Sequence, residues 1–159
     1  MSFLQIFLET PRARVSLVLS RYHESLSKGP KASAASTKEA LQTASDLLSD
    51  LQVETYSSME RREKTEFILE QMRLLIAVAR LKDEEVPAKQ GKSALGGGEP
   101  EWTKAKVGGR KVNESFLKDK ANEVRPSVEL LYTTLNDCLY PGSQTQILRF
   151  NDPTSSSSE

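Results

Sequence analysis

Apolar positions recur every three or four residues along most of this chain, and the runs are broken where Gly, Pro and Ser gather. Residues Ser2 to Lys28 read as helix. Thr10 and Pro11 are suited to restart it, Thr10 as the cap and Pro11 in the first turn. Beyond them Val15, Val18, Leu19, Tyr22 and Leu26 fall on one side, the expected packing face. Gly29-Pro30 stops the run. A second helix is expected to open at Ser36, which with Glu39 has capping-box spacing. Its stripe is Ala40, Leu41, Ala44, Leu47, Leu48 and Leu51, and it ends near Val53.

Ser57 and Glu60 repeat the capping-box spacing ahead of a third helix, from about Ser58 to Lys82. That helix begins charged and turns apolar on nearly every side between Phe67 and Leu81. A helix of this kind must be covered from several directions, as an inner helix of a stacked array is. Three helices alone would not supply the cover. Residues 83–100 hold two prolines and four glycines and read as a flexible loop. Helical signal returns at Glu101-Trp102 and at Val112 to Ala121, with Gly108-Gly109 read as a break between the two. Pro126 and Ser127 can open a last helix carrying Val128, Leu130, Leu131, Leu135 and Leu139, closed by Pro141-Gly142. The end, NDPTSSSSE, is polar and of low complexity.

The fold class expected is therefore all-α: antiparallel helix pairs of TPR-like, solenoid type. The divisions expected are a helical-repeat segment over 1–82, a flexible insertion over 83–100, the end of the repeat segment over 101–123, and a divergent, largely disordered tail over 124–159.

Charge narrows the choice of function. Basic and acidic residues number 22 each, so there is no basic surplus for nucleic acid or an anionic membrane. The basic run from Lys104 to Lys111 has only Trp102 as aromatic company and reads as a solvated helix end. No apolar run approaches the ~18 residues that cross a bilayer. The start, MSFLQIFLETPRAR, lacks the basic opening and small-residue cleavage site of a secretory leader.

Reactive residues are scarce. One cysteine, Cys138, can form neither an internal disulfide nor a thiolate zinc site. One histidine, His23, stands without the partners a triad or metal site needs. It reads as a residue of a last helical turn, and Cys138 as a small, partly buried apolar group. Gly91-Lys92-Ser93 has the closing letters of a phosphate loop, but Val86 stands where its first glycine belongs. In RREKTE the pairs Glu60–Lys64 and Arg62–Glu66 are four apart and support a helix. No catalytic, cofactor-binding or metal-ligating residue emerges, and no small-molecule substrate. Phe67, Ile68, Met72, Leu75 and Ile76 are the candidates for packing or for a protein interface.

The stretch LQVETYSSMERREKTEFILEQMRLLIAV, Leu51 to Val78, resembles the PCI-family subunits of the proteasome regulatory-particle lid. Arg12-Ala13-Arg14, ASDLLSDLQ (44–52) and EWTKAKVGGRKVNESFL (101–117) extend the likeness to about Ile6–Val78 and Glu101–Glu123. Residues 79–100 look like an insertion between helices that adjoin in the family. After Glu123 the sequence departs, and the family's carboxy-terminal PCI module is absent from it. The resemblance implies a non-catalytic helical arm that contacts other lid subunits in ubiquitin-dependent degradation, in cytoplasm and nucleus and without cofactor. It also implies that a chain truncated before the PCI module would not assemble normally. A PCI subunit of the COP9 signalosome is the alternative within the family, and the MERREKTEFILEQMRL run favours the lid. A small independent helical adaptor is the alternative outside it.

Overall fold

The computed structural model describes residues 3–29, 33–85, 97–118 and 126–140, with the side chains of 3–6 and 126 left aside. Helix α1 (Phe3–Ser27) runs unbroken through Pro11. The proline removes one backbone donor and crowds the preceding turn. Contacts on both sides of it hold the helix together: Thr10 hydrogen-bonds the Ser58 hydroxyl at 2.7 Å, and Ala13 is completely buried. Thr10 thus joins two segments of the chain and restarts nothing.

Helix α2 (Ala34–Ser49) returns antiparallel to α1. Its N-cap is Ser33, whose Oγ accepts from the Ser36 amide at 3.2 Å, so the helix opens earlier than the Ser36–Glu39 spacing suggested. Thr37 Oγ1 donates to the Ser27 carbonyl at one end of the pair, and Ser20 Oγ donates to the Ala44 carbonyl at 2.9 Å in its middle. The face of α1 turned to its neighbours carries Thr10, Ala13, Ser20 and Ser27, with Leu17 half-buried among them. This overturns the expectation that Val15, Val18, Leu19, Tyr22 and Leu26 pack inward, for all five are exposed. Short side chains win the contact because α2 approaches closely enough for a serine hydroxyl to reach its backbone.

A 3-10 turn, Val53–Thr55, leads from α2 towards α3 (Arg61–Glu85). Val53, Tyr56 and Met59 are buried, so this connection belongs to the core. Gln71 Nε2 donates to the carbonyls of Leu48 and Leu51, at 2.5 and 2.9 Å, tying the end of α2 and the residues after it to α3. Helix α3 runs antiparallel to α2, with Lys38 paired to Glu85 at the far end. It runs parallel to α1: Thr10 meets Ser58, Arg14 meets Glu63 and Glu24 meets Arg73, a spacing of 48 or 49 residues throughout.

Helix α4 (Glu99–Lys111) packs antiparallel on α3. Asp83 ties its start, accepting from the Gly98 amide at 2.9 Å and from Trp102 Nε1 at 2.8 Å, while Lys82 pairs with the buried Glu101 at 2.6 Å. Gly108 and Gly109 lie inside α4 and interrupt nothing. Their bare backbone gives Met72 room, since a Cβ at Gly108 would stand 3.0 Å from the Met72 Cγ. The short α5 (Glu114–Lys118) and then α6 (Pro126–Leu139) complete the described chain. Helix α6 lies on α3 and α4 and buries Val128, Tyr132, Leu135 and Leu139. The expected loop is narrower than 83–100, because α3 reaches Glu85 and α4 includes Glu99 and Pro100. Residues 86–96, most of the expected insertion, lie outside the described residues, as does the tail beyond Tyr140. The described residues contain helices and no strand, which makes the fold all-α and built on antiparallel helix pairs.

Glycines 98 and 109 should respond oppositely to a methyl group. A Cβ at Gly98 would sit 2.4 Å from the backbone oxygen of Ala79, so α4 must move. At Gly109 it would meet only side-chain ends, the Met72 terminal methyl at 3.3 Å and the Leu139 Cδ1 at 3.8 Å. We expect Gly98→Ala to cost about 1–3 kcal/mol through overpacking. Gly109→Ala should be neutral or stabilise by up to about 1 kcal/mol through helix propensity. Urea unfolding of the two variants measures both, and equal losses would refute the distinction.

Candidate functional site

The five residues singled out for packing or contact all lie in the core of the chain itself. Met72 is fully enclosed, and Phe67, Ile68, Leu75 and Ile76 are buried around it. Helix α3 brings them together because its apolar residues cover most of its circumference, and α2, α4 and α6 each take a side. In this arrangement little of their surface stays open, and Phe67, Met72 and Leu75 reach only the floors of grooves.

Reactive groups do not converge. Among the described residues no cluster of His, Cys, Asp and Glu is placed to hold a metal. His23 is half-buried in α1 with its ring edge-on to Tyr22, the centroids 5.7 Å apart. Cys138 lies on α6, where the Arg80 guanidinium donates to its Sγ at 3.0 Å. The charged run ahead of Phe67 serves structure: Arg62 and Glu66 are 3.6 Å apart within one helix, while Glu63 leaves its own helix to accept two hydrogen bonds from Arg14. Lys111, from the basic run, pairs with Glu54.

The strongest electrostatic feature is a seam between α1 and α3. Arg73 donates to both oxygens of Glu24, at 3.0 and 2.6 Å, and also to both of Glu70. Lys28 adds a bond to Glu24 at 2.9 Å. The Arg73 hydrogen bonds hold the Glu24 carboxyl down at about 2, well below the usual carboxylate range, against the opposing effect of its burial. The hydrogen bonds to Glu70, and then those to Glu24, raise Arg73 further above its ordinary value against the effect of burial. Nearby, burial and then the Glu114 carboxylate raise the Tyr132 phenol, whose hydroxyl donates to Glu114 at 2.8 Å. Such groups fix helices relative to one another.

Two of the surface grooves are lined largely by apolar side chains. One, about 180 Å³, lies between α1, α3 and α6 and is lined by Leu17, Met59, Phe67, Val128 and Leu131 beneath Arg21 and Glu66. The other, about 260 Å³, lies between the end of α2 and α4, lined by Leu51, Met72, Leu75, Val107, Gly108 and Lys104. Neither holds His23 or Cys138. Among the described residues, most of the large apolar side chains left exposed lie on the outer side of α1. Periodicity found its residues, but it could not tell a face that packs inside the chain from one left outside.

The family model described as PSMD12/CSN4, N-terminal, matches residues 2–135, from the start of α1 into α6. The chain belongs to this family. Among curated relatives, the 26S proteasome non-ATPase regulatory subunit 12 of Dictyostelium discoideum is 44% identical over 70 residues, 44% of this chain and 13% of that protein. The 26S proteasome regulatory subunit RPN5 of Saccharomyces cerevisiae (strain ATCC 204508 / S288c) is 43% identical over 72 residues, 45% of this chain and 14% of that protein. The matched stretch thus spans about one-seventh of the length of these relatives. No solved structure matches the chain significantly. The resemblance carried by Leu51 to Val78 is in accord with these findings, and the family match continues past Glu123 to residue 135.

Acid should expose the value of the seam. Glu24 is ordinarily near 4.5 and sits at about 2 in the folded chain, so its stabilisation is complete above pH 4.5 and is lost as the pH falls towards 2. Glu24→Gln is expected to lose about 1–2 kcal/mol at pH 7, allowing for partial solvent screening. Urea midpoints of both proteins between pH 7 and pH 2 should converge on the acid side, and a constant gap would show that the loss is steric.

Proposed function

We propose that this chain acts as a non-catalytic helical scaffold of the 26S proteasome regulatory-particle lid, holding other lid subunits through helix faces and so serving ubiquitin-dependent protein degradation. The observation that carries the reading is the family match over residues 2–135 together with relatives that are themselves 26S proteasome regulatory subunits. The helical hairpins support it: α1/α2 and α3/α4 stand side by side with α1 parallel to α3, an arrangement that further hairpins could extend into an arm. Its partners are other lid subunits, with no nucleic acid, membrane or small-molecule substrate, and its place is cytoplasm and nucleus. The family description also names CSN4, the signalosome branch, whereas both relatives above belong to the proteasome.

A chimera decides between these branches. Residues 2–135 replace the corresponding amino-terminal segment of the yeast regulatory subunit RPN5, and lid assembly is followed on native gels. Recovery of assembled lid at half or more of the normal amount is expected. A soluble, helical chimera that leaves the lid unassembled would overturn the proteasome reading.

A further inference from the structure

Helix α1 has two unlike sides. Its inner side is made of short residues that let α2 approach, with Ala13 and Ser20 almost wholly enclosed. Its outer side carries Leu8, Val15, Val18, Leu19, Tyr22 and Leu26, between 41% and 67% exposed. Spaced by three, four and seven residues, they form one stripe along about five turns of helix. Single exposed apolar residues need no explanation, whereas a continuous stripe marks a contact surface.

Charge indicates what covers it. The charged side chains bordering the stripe on the exposed part of α1 are arginines. Arg14 is committed to Glu63, while Arg12 and Arg21 are exposed and in no ion pair among the described residues. Arg12 looks across a shallow groove at Asp46 and Asp50 without closing on either. The acidic residues of the described part of α1 are Glu9 and Glu24; Glu9 lies towards the inner side, and Glu24 is held by Arg73.

A second copy of this chain fits poorly. The stripe is centred near residue 17, so an antiparallel pairing of two α1 helices sets Arg21 of each copy beside Arg14 of the other, on the margin they share, and like charges in that position repel. An anionic bilayer also fits poorly, because interfacial helices rely on a polar face rich in Lys and Arg, and here the inner face is occupied by α2. A helix with an apolar seam and carboxylates at its margins satisfies both the stripe and the arginines.

We propose that the outer face of α1 is a docking surface for one amphipathic helix of a partner protein, with its apolar seam bordered by Asp or Glu. Val18 and Tyr22 lie at the centre of the contact, and Arg12 and Arg21 select the charge of the partner. The surface is defined by this chain's own residues, so it stands whether or not the partner is a proteasome subunit.

The test uses the full 159-residue chain and two fluorescein-labelled synthetic helices of about 20 residues, sharing a leucine seam and flanked by Glu in one and Lys in the other. Fluorescence anisotropy should show the Glu-flanked helix binding at least about ten-fold tighter. Val18→Asp and Tyr22→Asp, at exposed positions that leave helicity unchanged by circular dichroism, should each weaken it about ten-fold or more. The double variant Arg12→Glu, Arg21→Glu should transfer the preference to the Lys-flanked helix. Equal binding of the two helices, or none, would overturn the proposal. So would uptake onto phosphatidylcholine–phosphatidylserine vesicles that Val18→Asp abolishes, which would assign the stripe to a membrane. Sedimentation showing a dimer that the same variant dissolves would assign it to a second copy.

Discussion

Everything in this molecule answers to the circumference of α3. A helix with an apolar stripe needs one neighbour, but α3 presents Phe67, Ile68, Leu69, Met72, Leu74, Leu75, Ile76 and Val78 in directions that no single partner covers. Left in water, each such side chain forfeits about 1.5–3 kcal/mol of burial. Helices α2, α4 and α6 therefore gather around it, and the 3-10 turn at Val53 is drawn in as well. The need for cover also explains two backbone details. Gly98 allows α4 to start against the Ala79 backbone, and Gly108 with Gly109 gives Met72 its space.

Position along that core is set by polar contacts. Burial favours contact without fixing register. The near-constant spacing between α1 and α3 comes from the Thr10–Ser58 bond, the Arg14–Glu63 pair and the Glu24–Arg73–Glu70 cluster. These differ in value. Arg14 is exposed and its pair is screened by water, whereas Glu24 is largely enclosed and its depressed carboxyl pKa shows a real preference for the charged, bonded form. The Glu24–Arg73 contact is the pair most able to resist sliding of one helix along the other.

The helices themselves were legible in the sequence, and their orientations were less so. The stripe Ala40 to Leu51 and the dense apolar run from Phe67 announced α2 and α3, and Pro126-Ser127 announced α6. Helix α1 was recognised and then turned the wrong way. A rule that apolar residues point inward favours Val15, Val18 and Tyr22 over Ser20, but the distance of closest approach between two helices depends on side-chain size as much as on polarity. Gly108-Gly109 misled for a related reason: glycine inside a helix loses about 1 kcal/mol of propensity against alanine, and only a neighbour such as Met72 reveals what it makes possible. The cap at Ser33 in place of Ser36 was a choice between two serines three residues apart, which local sequence leaves open. For the site, the run from Phe67 to Ile76 was visible because it is so apolar, and that same property put it in the core.

The division of labour between α3 and α1 follows from where each lies. A central helix spends its apolar surface on its own chain, so its sequence is constrained by neighbours the chain itself supplies. A helix at the edge of the array has one side that no other described element covers. Polar residues there would cost nothing in solubility, yet α1 places leucine, valine and tyrosine on that side and keeps Ser20 and Ser27 within. Folding of the isolated chain does not demand this pattern, because the inner contacts of α1 are made by short residues and Leu17. The pattern is the one the proposed docking would use. There the shape of the stripe and the sign of the charges beside it would set the choice of partner.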